Sequence, residues 1–353
     1  VDGVISREGI TGGEYLDLKI KVPDFDDFEI TPDKHFMMLN SVKNVKTSSN
    51  KQIATLEFVS VEAIINETAR VSRRFTGNVS QIVKELMKDK KSIQTSKNLE
   101  TDESFNKYSF VGNLKRPFDT IQWLCPKAAS TDKECGFLFY ENLDGYFFKS
   151  IKGLLDADSS ETYEKPEAPV DTDIKITENN LDSSNDIGMN CRMGMYANKT
   201  IYVDIENGEL ETVDYKISDL NLAKPPKLPA GLEDVPTRLM LRILDAGALQ
   251  KGSKKEEVEK RSELAVYQNK SYARTNLLFS QSLSISTPFN PDLRVGQMID
   301  VVLPVKEGSD QSQTTGGGEN DISGKYLLSE LKHSIANGKS NSELKLIRDV
   351  FTA

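Results

Sequence analysis

Alternating apolar and polar residues predict strands in the first sixty residues of the chain. The run from Tyr15 to Ile20 alternates, and QIATLEFVSV at 52–61 follows a similar pattern. A period of two is typical of a strand with one buried face. The segments VPDFDDFEITPDK at 22–34 and VKTSSNKQ at 45–52 carry the proline and polar residues of loops. We therefore expect two strands joined through loops in this region.

A period near 3.6 residues predicts two helices further along the chain. In NVSQIVKELMKDK at 78–90 the apolar residues form one stripe, and Thr76 or Asn78 is expected to cap the first turn. A shorter helix is predicted in RPFDTIQWLCPKAAS at 116–130. Pro126 lacks an amide hydrogen, so it should bend or interrupt that helix.

The segment FLFYENLDGYFFKSI at 137–151 holds six aromatic residues and predicts a β-hairpin. Its Asp-Gly pair is typical of a tight turn, because glycine adopts a positive φ without steric cost. Both faces of the hairpin would be apolar, which is unfavourable in contact with water. One face carries Phe137, Phe139, Tyr146 and Phe148, and the other carries Leu138, Tyr140, Phe147 and Ile151. Such a hairpin must be sandwiched within a domain or covered by another chain, and we interpret it as a packing wedge near a subunit boundary.

The rest of the chain is predicted to be mostly strands. An acidic, proline-containing stretch at 156–186 is expected to be a surface excursion, and a strand hairpin is predicted at 196–217. Four prolines at 225–236 indicate a linker. A charged amphipathic helix is predicted at 254–278, and the run at 306–322 is expected to be a loop. Strands are predicted in SLSIS, GQMIDVVLPV, KYLLSELKHSI and SELKLIRDVF. This C-terminal antiparallel meander favours a small barrel or closed sandwich.

Composition and charge exclude several classes of protein. The 353 residues are 37% hydrophobic and 28% charged, and no run approaches the roughly 18 apolar residues of a membrane span. The opening VDGVISREGI lacks the basic and apolar regions of a signal peptide, so we expect synthesis in the cytoplasm. A formal charge of −9 argues against a protein that grips nucleic acid through its phosphates. It leaves open a protein that DNA merely passes.

The cysteines and histidines do not indicate a metal site. Cys125, Cys135 and Cys191 are irregularly spaced, and the only two histidines, His35 and His333, are far apart in the chain. Zinc sites usually take four nitrogen or sulfur ligands at close spacings. We therefore expect reduced, mostly buried cysteines and no bound metal.

Candidate catalytic groups are few, and each has a structural alternative. Glu141 and Asp144 could form the carboxylate pair of a glycoside hydrolase, but Asp is also favoured in turns for backbone hydrogen bonding. His333 lacks a nucleophile motif beside it, so a surface or interface position is expected. The basic run Arg70, Arg73 and Arg74 could bind phosphate, or it could form a solvated face or a salt bridge to a neighbouring subunit. The glycines of TTGGGEN lack the following Lys-Ser/Thr of a phosphate-binding loop. We expect Glu141→Gln to have little effect, and replacement of the hairpin phenylalanines by Ser to abolish folding or assembly.

The order of these features resembles the baseplate hub proteins of contractile, T-even-type phage tails. The resemblance is carried by RFTGNVSQIVKELM at 74–87, PFDTIQWLCPKAAS at 117–130 and GFLFYENLDGYFFKSI at 136–151. Downstream, NPDLRVGQMIDVVLP at 290–304 and SGKYLLSELKHSI at 323–335, closing on LKLIRDVF, are similar to the tube-type domain of hub proteins of tail spikes and type VI secretion. The similarity spans nearly the whole chain.

The resemblance implies a mainly β fold with α+β insertions. It implies two antiparallel tube-type β-barrel domains plus a central helix-and-hairpin domain. The first barrel is expected to comprise residues 1–65 with 195–222, and the central domain residues 66–194. The second barrel is expected at 223–353, including the charged helix.

The resemblance also implies a structural function. The family pattern is a homotrimer whose barrels form a pseudo-sixfold ring, which joins a tail tube hexamer to a threefold central spike. Other baseplate proteins surround it, and DNA passes through it without specific binding. Its place is the virion baseplate, after assembly in the host cytoplasm. No catalytic, cofactor-binding or metal-binding residues follow from the family. Two alternatives stay open: a tail-associated peptidoglycan hydrolase that uses Glu141 and Asp144, and a spike component of a tailocin or secretion particle.

Overall fold

The protein is represented by a computed structural model. It describes residues 9–10, 12–21, 28–48, 51–165, 176–184, 186–205, 208–220, 228–229, 231–232, 234–243, 261–304, 322–336 and 338–351. Strands make up 46% and helices 22% of the structure, and one sheet curls into a half-barrel. The prediction of a mainly β fold is therefore confirmed.

The elements follow one another in a mixed order. The strands are β1 Leu18–Ile20, β2 Phe28–Ile30, β3 Met37–Ser48, β4 Lys51–Ser60, β5 Arg74–Asn78, β6 Leu99–Thr101, β7 Lys107–Val111, β8 Phe137–Asn142, β9 Gly145–Ser150, β10 Ser159–Glu164, β11 Glu178–Ser184, β12 Ala197–Asp204, β13 Glu209–Lys216, β14 Arg238–Ile243, β15 Gln281–Pro288, β16 Met298–Val302, β17 Gly324–Ala336 and β18 Lys339–Arg348. The helices are α1 Val61–Thr68, α2 Val79–Lys88, α3 Pro117–Leu124, α4 Ile151–Leu155, α5 Ile187–Met193 and α6 Arg261–Leu278, with 3-10 turns at Cys125–Lys127 and Ile217–Asp219.

The N-terminal region contains more strand than its sequence pattern predicts. Strands β1 and β2 form one antiparallel pair, and β3 and β4 form another. The segments at 22–34 and 45–52 were expected to be loops, and this is wrong for β2 and for the part of β3 that reaches Ser48. The reason is that the β3–β4 register shifts twice, so the alternation that indicates a strand is interrupted. Residues 22–27 and 49–50 lie outside the described residues.

The two predicted helices are confirmed. In α2 the Oδ1 atom of Asn78 accepts a hydrogen bond from the amide of Gln81 at 3.0 Å, so Asn78 is the cap. The predicted apolar stripe of α2 is buried. Helix α3 ends at Leu124 and continues as a 3-10 turn around Pro126, as the missing amide hydrogen requires. Helix α1 was not predicted, because its few residues directly follow β4 and show no clear period.

The helices and the hairpin enclose one core, and the C-terminal strands enclose another. The central core includes Phe75, Ile82, Ile121, Phe137 and Phe148. The C-terminal core includes Leu283, Ile299, Tyr326, Leu328 and Leu346. A third group of buried residues, here called the junction cluster, lies where the hairpin region meets the C-terminal sheet and consists of Ile151, Leu154, Leu278, Met298, Leu327 and Ile347.

The largest sheet has six strands, in the order β10-β16-β17-β18-β15-β11. Strands β15 to β18 and helix α6 confirm the elements predicted for the C-terminal third. The expectation of a surface excursion at 156–186 is wrong for β10 and β11, which pair with β16 and β15. The acidic composition is misleading because Tyr163 faces the C-terminal core, while Glu164 is exposed and Glu161 accepts hydrogen bonds from the Asn290 side chain. Residues 166–175, 254–260 and 305–321 lie outside the described residues.

A three-stranded sheet carries an open apolar face. Its order is β13-β12-β14, and β12 and β13 form the predicted hairpin. Helix α6 packs against one face, where Thr200 Oγ1 and Asn269 Oδ1 are 3.1 Å apart. On the other face Leu239, Leu241 and Ile243 of β14 are 61–73% exposed. Strand β14 pairs in parallel with β12, so it crosses the predicted boundary between the two barrels.

The cap of α2 gives a direct test of local stability. We expect Asn78→Ala to lower the free energy of unfolding by about 1 kcal/mol, because it leaves an amide of the first turn without its acceptor. The exposed Lys84→Ala on the same helix should change it by less than about 0.5 kcal/mol. Urea unfolding followed by circular dichroism measures both values. Equal effects of the two substitutions would contradict the assigned cap.

Candidate interaction site at the aromatic hairpin

Strands β8 and β9 form the predicted hairpin. Asn142 faces Gly145 across the last pair, which leaves Leu143 and Asp144 as the turn. Gly145 has φ +138°, and a Cβ atom at this position would collide with the carbonyl oxygen of Asn98. That carbonyl accepts a hydrogen bond from the Tyr146 amide at 2.9 Å. Glycine is therefore required here for both backbone conformation and space.

One face of the hairpin belongs to the central core. Phe137 stacks on Phe148 with 4.9 Å between ring centroids, and Phe139 stacks on Tyr146 at 5.8 Å. Phe118 of α3 contacts Phe139 at 5.7 Å. Offset aromatic pairs of this kind add stability beyond the area that they bury. The predicted inward set on this face is confirmed.

The opposite face of the hairpin packs on the junction cluster. Leu138 and Tyr140 contact that cluster, and Tyr140 stacks on Phe147 at 5.2 Å. Both apolar faces are thus covered by the same chain. Of the two alternatives that the sequence leaves open, sandwiching within the chain is the one observed. That the hairpin lies near a subunit boundary stays a prediction.

The turn of the hairpin is fastened to the loop before β16. Asp144 Oδ1 lies 3.1 Å from Arg294 Nε, and Asn142 Nδ2 donates to the carbonyl of Val295 at 3.2 Å. Gly296, with φ +95°, lies directly against the Tyr140 hydroxyl, where a Cβ atom would overlap it. These three contacts attach the central region to the C-terminal sheet with defined orientation.

A buried ionic cluster lies at the end of the hairpin that faces the central core. Lys97 Nζ is 2.9 Å from Glu62 Oε2 and 2.7 Å from Glu141 Oε1. The Lys97 and Glu62 side chains are 6% and 4% exposed, and that of Glu141 is 30% exposed. Ser60 donates a hydrogen bond to Glu141 at 2.7 Å. Burial and then the Glu141 carboxylate raise the pKa of Tyr146 above its usual range. The cluster depends on Lys97, the cation that both carboxylates share.

The two candidate catalytic carboxylates have separate structural partners. Glu141 pairs with Lys97 inside the ionic cluster, whereas Asp144 pairs with Arg294 outside it. A hydrolase needs both carboxylates to face one substrate. Their different partners account for both residues as structural groups, and the hydrolase alternative is not supported.

The other candidates from the sequence are also explained by structural contacts. Burial raises the pKa of the Cys125 and Cys135 thiols to about 12, so neither is a nucleophilic thiolate near neutral pH. Arg73 pairs with Glu85 and Asp89 of its own chain, at 3.2 and 3.0 Å. Within the described part of the chain, no group of three His, Cys, Asp or Glu side chains is arranged to hold a metal ion. The TTGGGEN glycines lie outside that part.

Several residues of this site were not predicted. Lys97, Glu62 and Arg294 are isolated charged residues in the sequence, and no motif indicates their partners. Arg294 lies within the quoted stretch at 290–304, which marks the loop but not its contact with the hairpin. Their roles follow from contacts between segments that are distant in the chain.

Comparison with solved structures identifies the fold. A tail protein from Neisseria meningitidis MC58 superposes with a TM-score of 0.53 at 9% identity, covering 89% of this chain and 79% of that one. The 43 kDa tail protein of prophage MuSo2 from Shewanella oneidensis gives 0.50 at 8% identity, covering 97% and 82%. The chain has the fold of phage tail proteins. No protein-family model matches the sequence, and no curated protein matches it either.

A third similarity is weaker. The E. coli c3393 protein, a component of the type VI secretion system with structural similarity to the T4 tail proteins gp27 and gp5, gives a TM-score of 0.42 at 9% identity. It covers 94% of this chain and 63% of that one. A TM-score this low supports no argument. In the described residues, no helix has the length and apolar character needed to cross a membrane.

The ionic cluster predicts unequal effects at its members. Lys97→Met should lower the free energy of unfolding by about 3–5 kcal/mol, because two carboxylates stay buried without their cation. Glu141→Gln should cost about 1 kcal/mol or less, because the amide oxygen still accepts hydrogen bonds and Lys97 keeps Glu62. Chemical denaturation of the two variants measures the difference. A Glu141→Gln variant as unstable as Lys97→Met would contradict this description.

The aromatic face predicts a larger loss. Phe148→Ser should lower the free energy of unfolding by roughly 3–5 kcal/mol or more, since it leaves a cavity and a hydroxyl in the central core. Phe139→Ser should act in the same direction with a smaller effect, because Phe139 is partly exposed. The exposed Val111→Ser is the control. Thermal unfolding of the three variants, followed by circular dichroism, should give this order; unchanged stability of Phe148→Ser would be evidence against it.

Proposed function

We propose that this protein is a structural hub of a phage tail baseplate. In this function a trimer of the chain joins the sixfold tail tube to the threefold central spike and forms part of the DNA exit channel. The observation that carries the proposal is the tail-protein fold, which spans most of the chain. The order of motifs at 74–87, 117–130 and 136–151 supports the T-even-type hub in particular.

The absence of an assembled catalytic group in the hairpin region supports a structural function. Glu141, Asp144 and Arg73 each pair with an opposite charge in the same chain. Structural adaptors need such fixed contacts more than they need reactive groups. Among the described residues, the chemistry of the site therefore favours a component without enzymatic activity.

The open face of the β13-β12-β14 sheet supports assembly of several copies. Leu239, Leu241 and Ile243 form an apolar row on an edge strand, and Ile201 and Val203 lie beside them on β12. An exposed apolar patch on an open sheet edge favours pairing with another chain. We assign this surface to the contact between neighbouring copies in the trimer, with tube, spike and other baseplate proteins bound to the ring that results.

The acidic charge supports passage of DNA. The chain carries a formal charge of −9, and on the outer face of the six-stranded sheet Lys332 pairs with Glu343 and Lys345 pairs with Glu330, each at 2.9 Å. Lysines held by carboxylates bind phosphate weakly. A channel lined in this way lets a duplex move through without being held, within a particle that assembles in the host cytoplasm.

We propose a modified domain division. The central domain keeps helices α2 to α5 and the hairpin, within 66–194. Strands β10 and β11 of that range contribute to the sheet of the second barrel, at 223–353, and β14 contributes to the sheet of the first, at 1–65 with 195–222. In this division β10, β11 and β14 each belong to a different domain from the one that the predicted boundaries assign.

Light scattering after gel filtration tests the assembly. We expect three times the mass of one chain, either for the protein alone or after addition of the spike protein of the same particle. Leu239→Asp with Leu241→Asp should reduce this to a monomer, because buried carboxylates would disrupt the apolar contact. Val111→Asp, at a similarly exposed position on β7, should leave the trimer intact. A chain that stays monomeric with both spike and tube proteins would overturn the proposal.

A further inference from the structure

His333 lies where the N-terminal segment meets the C-terminal sheet, and His35 lies in a turn of that segment. His35 follows β2 closely, and His333 lies in β17. Phe28 of β2 contacts the ring of His333 at 6.0 Å and that of Phe289 at 5.9 Å, and Phe289 contacts His333 at 4.8 Å. The rings of Phe28, Phe289 and His333 join the segment 28–36 to the six-stranded sheet, through residues that lie some 250 or more positions further along the chain. We call the segment 28–36 together with Phe289 and His333 the clasp.

The surroundings of His333 favour the neutral form of its ring. The backbone amide of Asn290 donates to Ser342 Oγ at 3.2 Å, and the same oxygen lies 2.9 Å from His333 Nδ1. A neutral ring with its proton on Nδ1 donates to Ser342 Oγ, whose two lone pairs can accept both hydrogen bonds. Nε2 is buried, and no hydrogen-bond partner faces it among the described residues. A charged imidazolium carries a second N–H at Nε2, which would be a buried donor beside the aromatic rings, so burial disfavours protonation.

The surroundings of His35 also favour the neutral form of its ring. Its Nδ1 accepts a hydrogen bond from the backbone amide of Thr31 at 3.0 Å. An amide always carries its proton, so protonation of Nδ1 breaks this bond and places two donors against each other. The Thr31 bond closes the turn that connects β2 to β3.

The charged groups around the clasp also disfavour protonation. Lys97, Lys34 and Arg294 face His35, and Arg294 also faces His333. Burial and these cations lower the pKa of both histidines below the ordinary value. The nearby carboxylates have partners of their own. Five of them pair with cations: Glu29 with Lys19, Glu343 with Lys332, Asp144 with Arg294, and both Glu62 and Glu141 with Lys97. Glu161 of β10 accepts a hydrogen bond from the side-chain amide of Asn290.

We propose that the clasp is an acid-sensitive attachment: protonation of His35 and His333 releases the segment 28–36 from the C-terminal sheet. In the closed state the segment 28–36 is attached to the sheet, and in the open state it is released. The two states differ in proton affinity, and in the open state the histidines have the ordinary pKa of about 6.5. The closed state is fully stable above that pH. Its stability falls as the pH drops below about 6.5, because the open state binds more protons. The attached segment is therefore stable at neutral pH and released in mild acid.

Nuclear magnetic resonance measures the two histidines directly. The chain contains only His35 and His333, so two imidazole Cε1–H signals are expected in the full-length protein. Both should titrate below about 6.5, the value for a free histidine. Two pKa values at or above that value would overturn the proposal whether or not any variant folds.

Hydrogen exchange tests the release itself. Protection of the amides of Phe28–Ile30, corrected for intrinsic exchange, should fall between about pH 7.5 and about pH 5.5, because the lower pH lies below the ordinary histidine pKa of about 6.5. Amides of α2 serve as the internal control and should keep their protection. The double variant His35→Asn with His333→Asn retains hydrogen-bond acceptors but cannot be charged in this range, so its protection should be independent of pH. Loss of protection in the variant equal to that in the wild type would refute the proposal.

Discussion

Both faces of the β8–β9 hairpin pack against apolar surfaces of the same chain, and the arrangement of the surrounding elements depends on this constraint. A strand pair with aromatic residues on each side needs two apolar surfaces. The central core supplies one, and the junction cluster supplies the other. The hairpin thereby places the helical region against the C-terminal sheet, and the contact of Asp144 with Arg294 sets the orientation that apolar packing alone leaves variable.

Polar groups at this site serve the same attachment. The Glu62–Lys97–Glu141 cluster lies beside the aromatic face and adds directional contacts where packing is not directional. Arg294 contacts the hairpin turn and also influences both histidines of the clasp. The loop before β16 therefore lies close to both the central region and the N-terminal segment where they meet the C-terminal sheet.

The sequence was sufficient for elements with a regular period and local signals. Helix α2 shows an uninterrupted stripe and a side-chain cap, and the hairpin shows an Asp-Gly turn, so both were predicted correctly. Strand β3 was missed because its bulges break the alternation, and β10 because acidic residues surround its single buried Tyr163. At the candidate site, the burial of the aromatic residues could be predicted from their number, but the partners of Lys97 and Arg294 could not. They come from segments far away in the chain, and local patterns carry no information on such pairs.

The pairing of β10 with β16 affects the order in which the molecule folds. Ser160 and Met298 form a hydrogen bond although they are 138 positions apart. Closing so long a loop is entropically costly and slows folding. During translation β10 leaves the ribosome long before its neighbour in the sheet exists. The edge of this strand stays unpaired until β16 has been made, so the six-stranded sheet forms only after its later strands have been synthesised, and an unpaired strand edge of this kind is prone to aggregation.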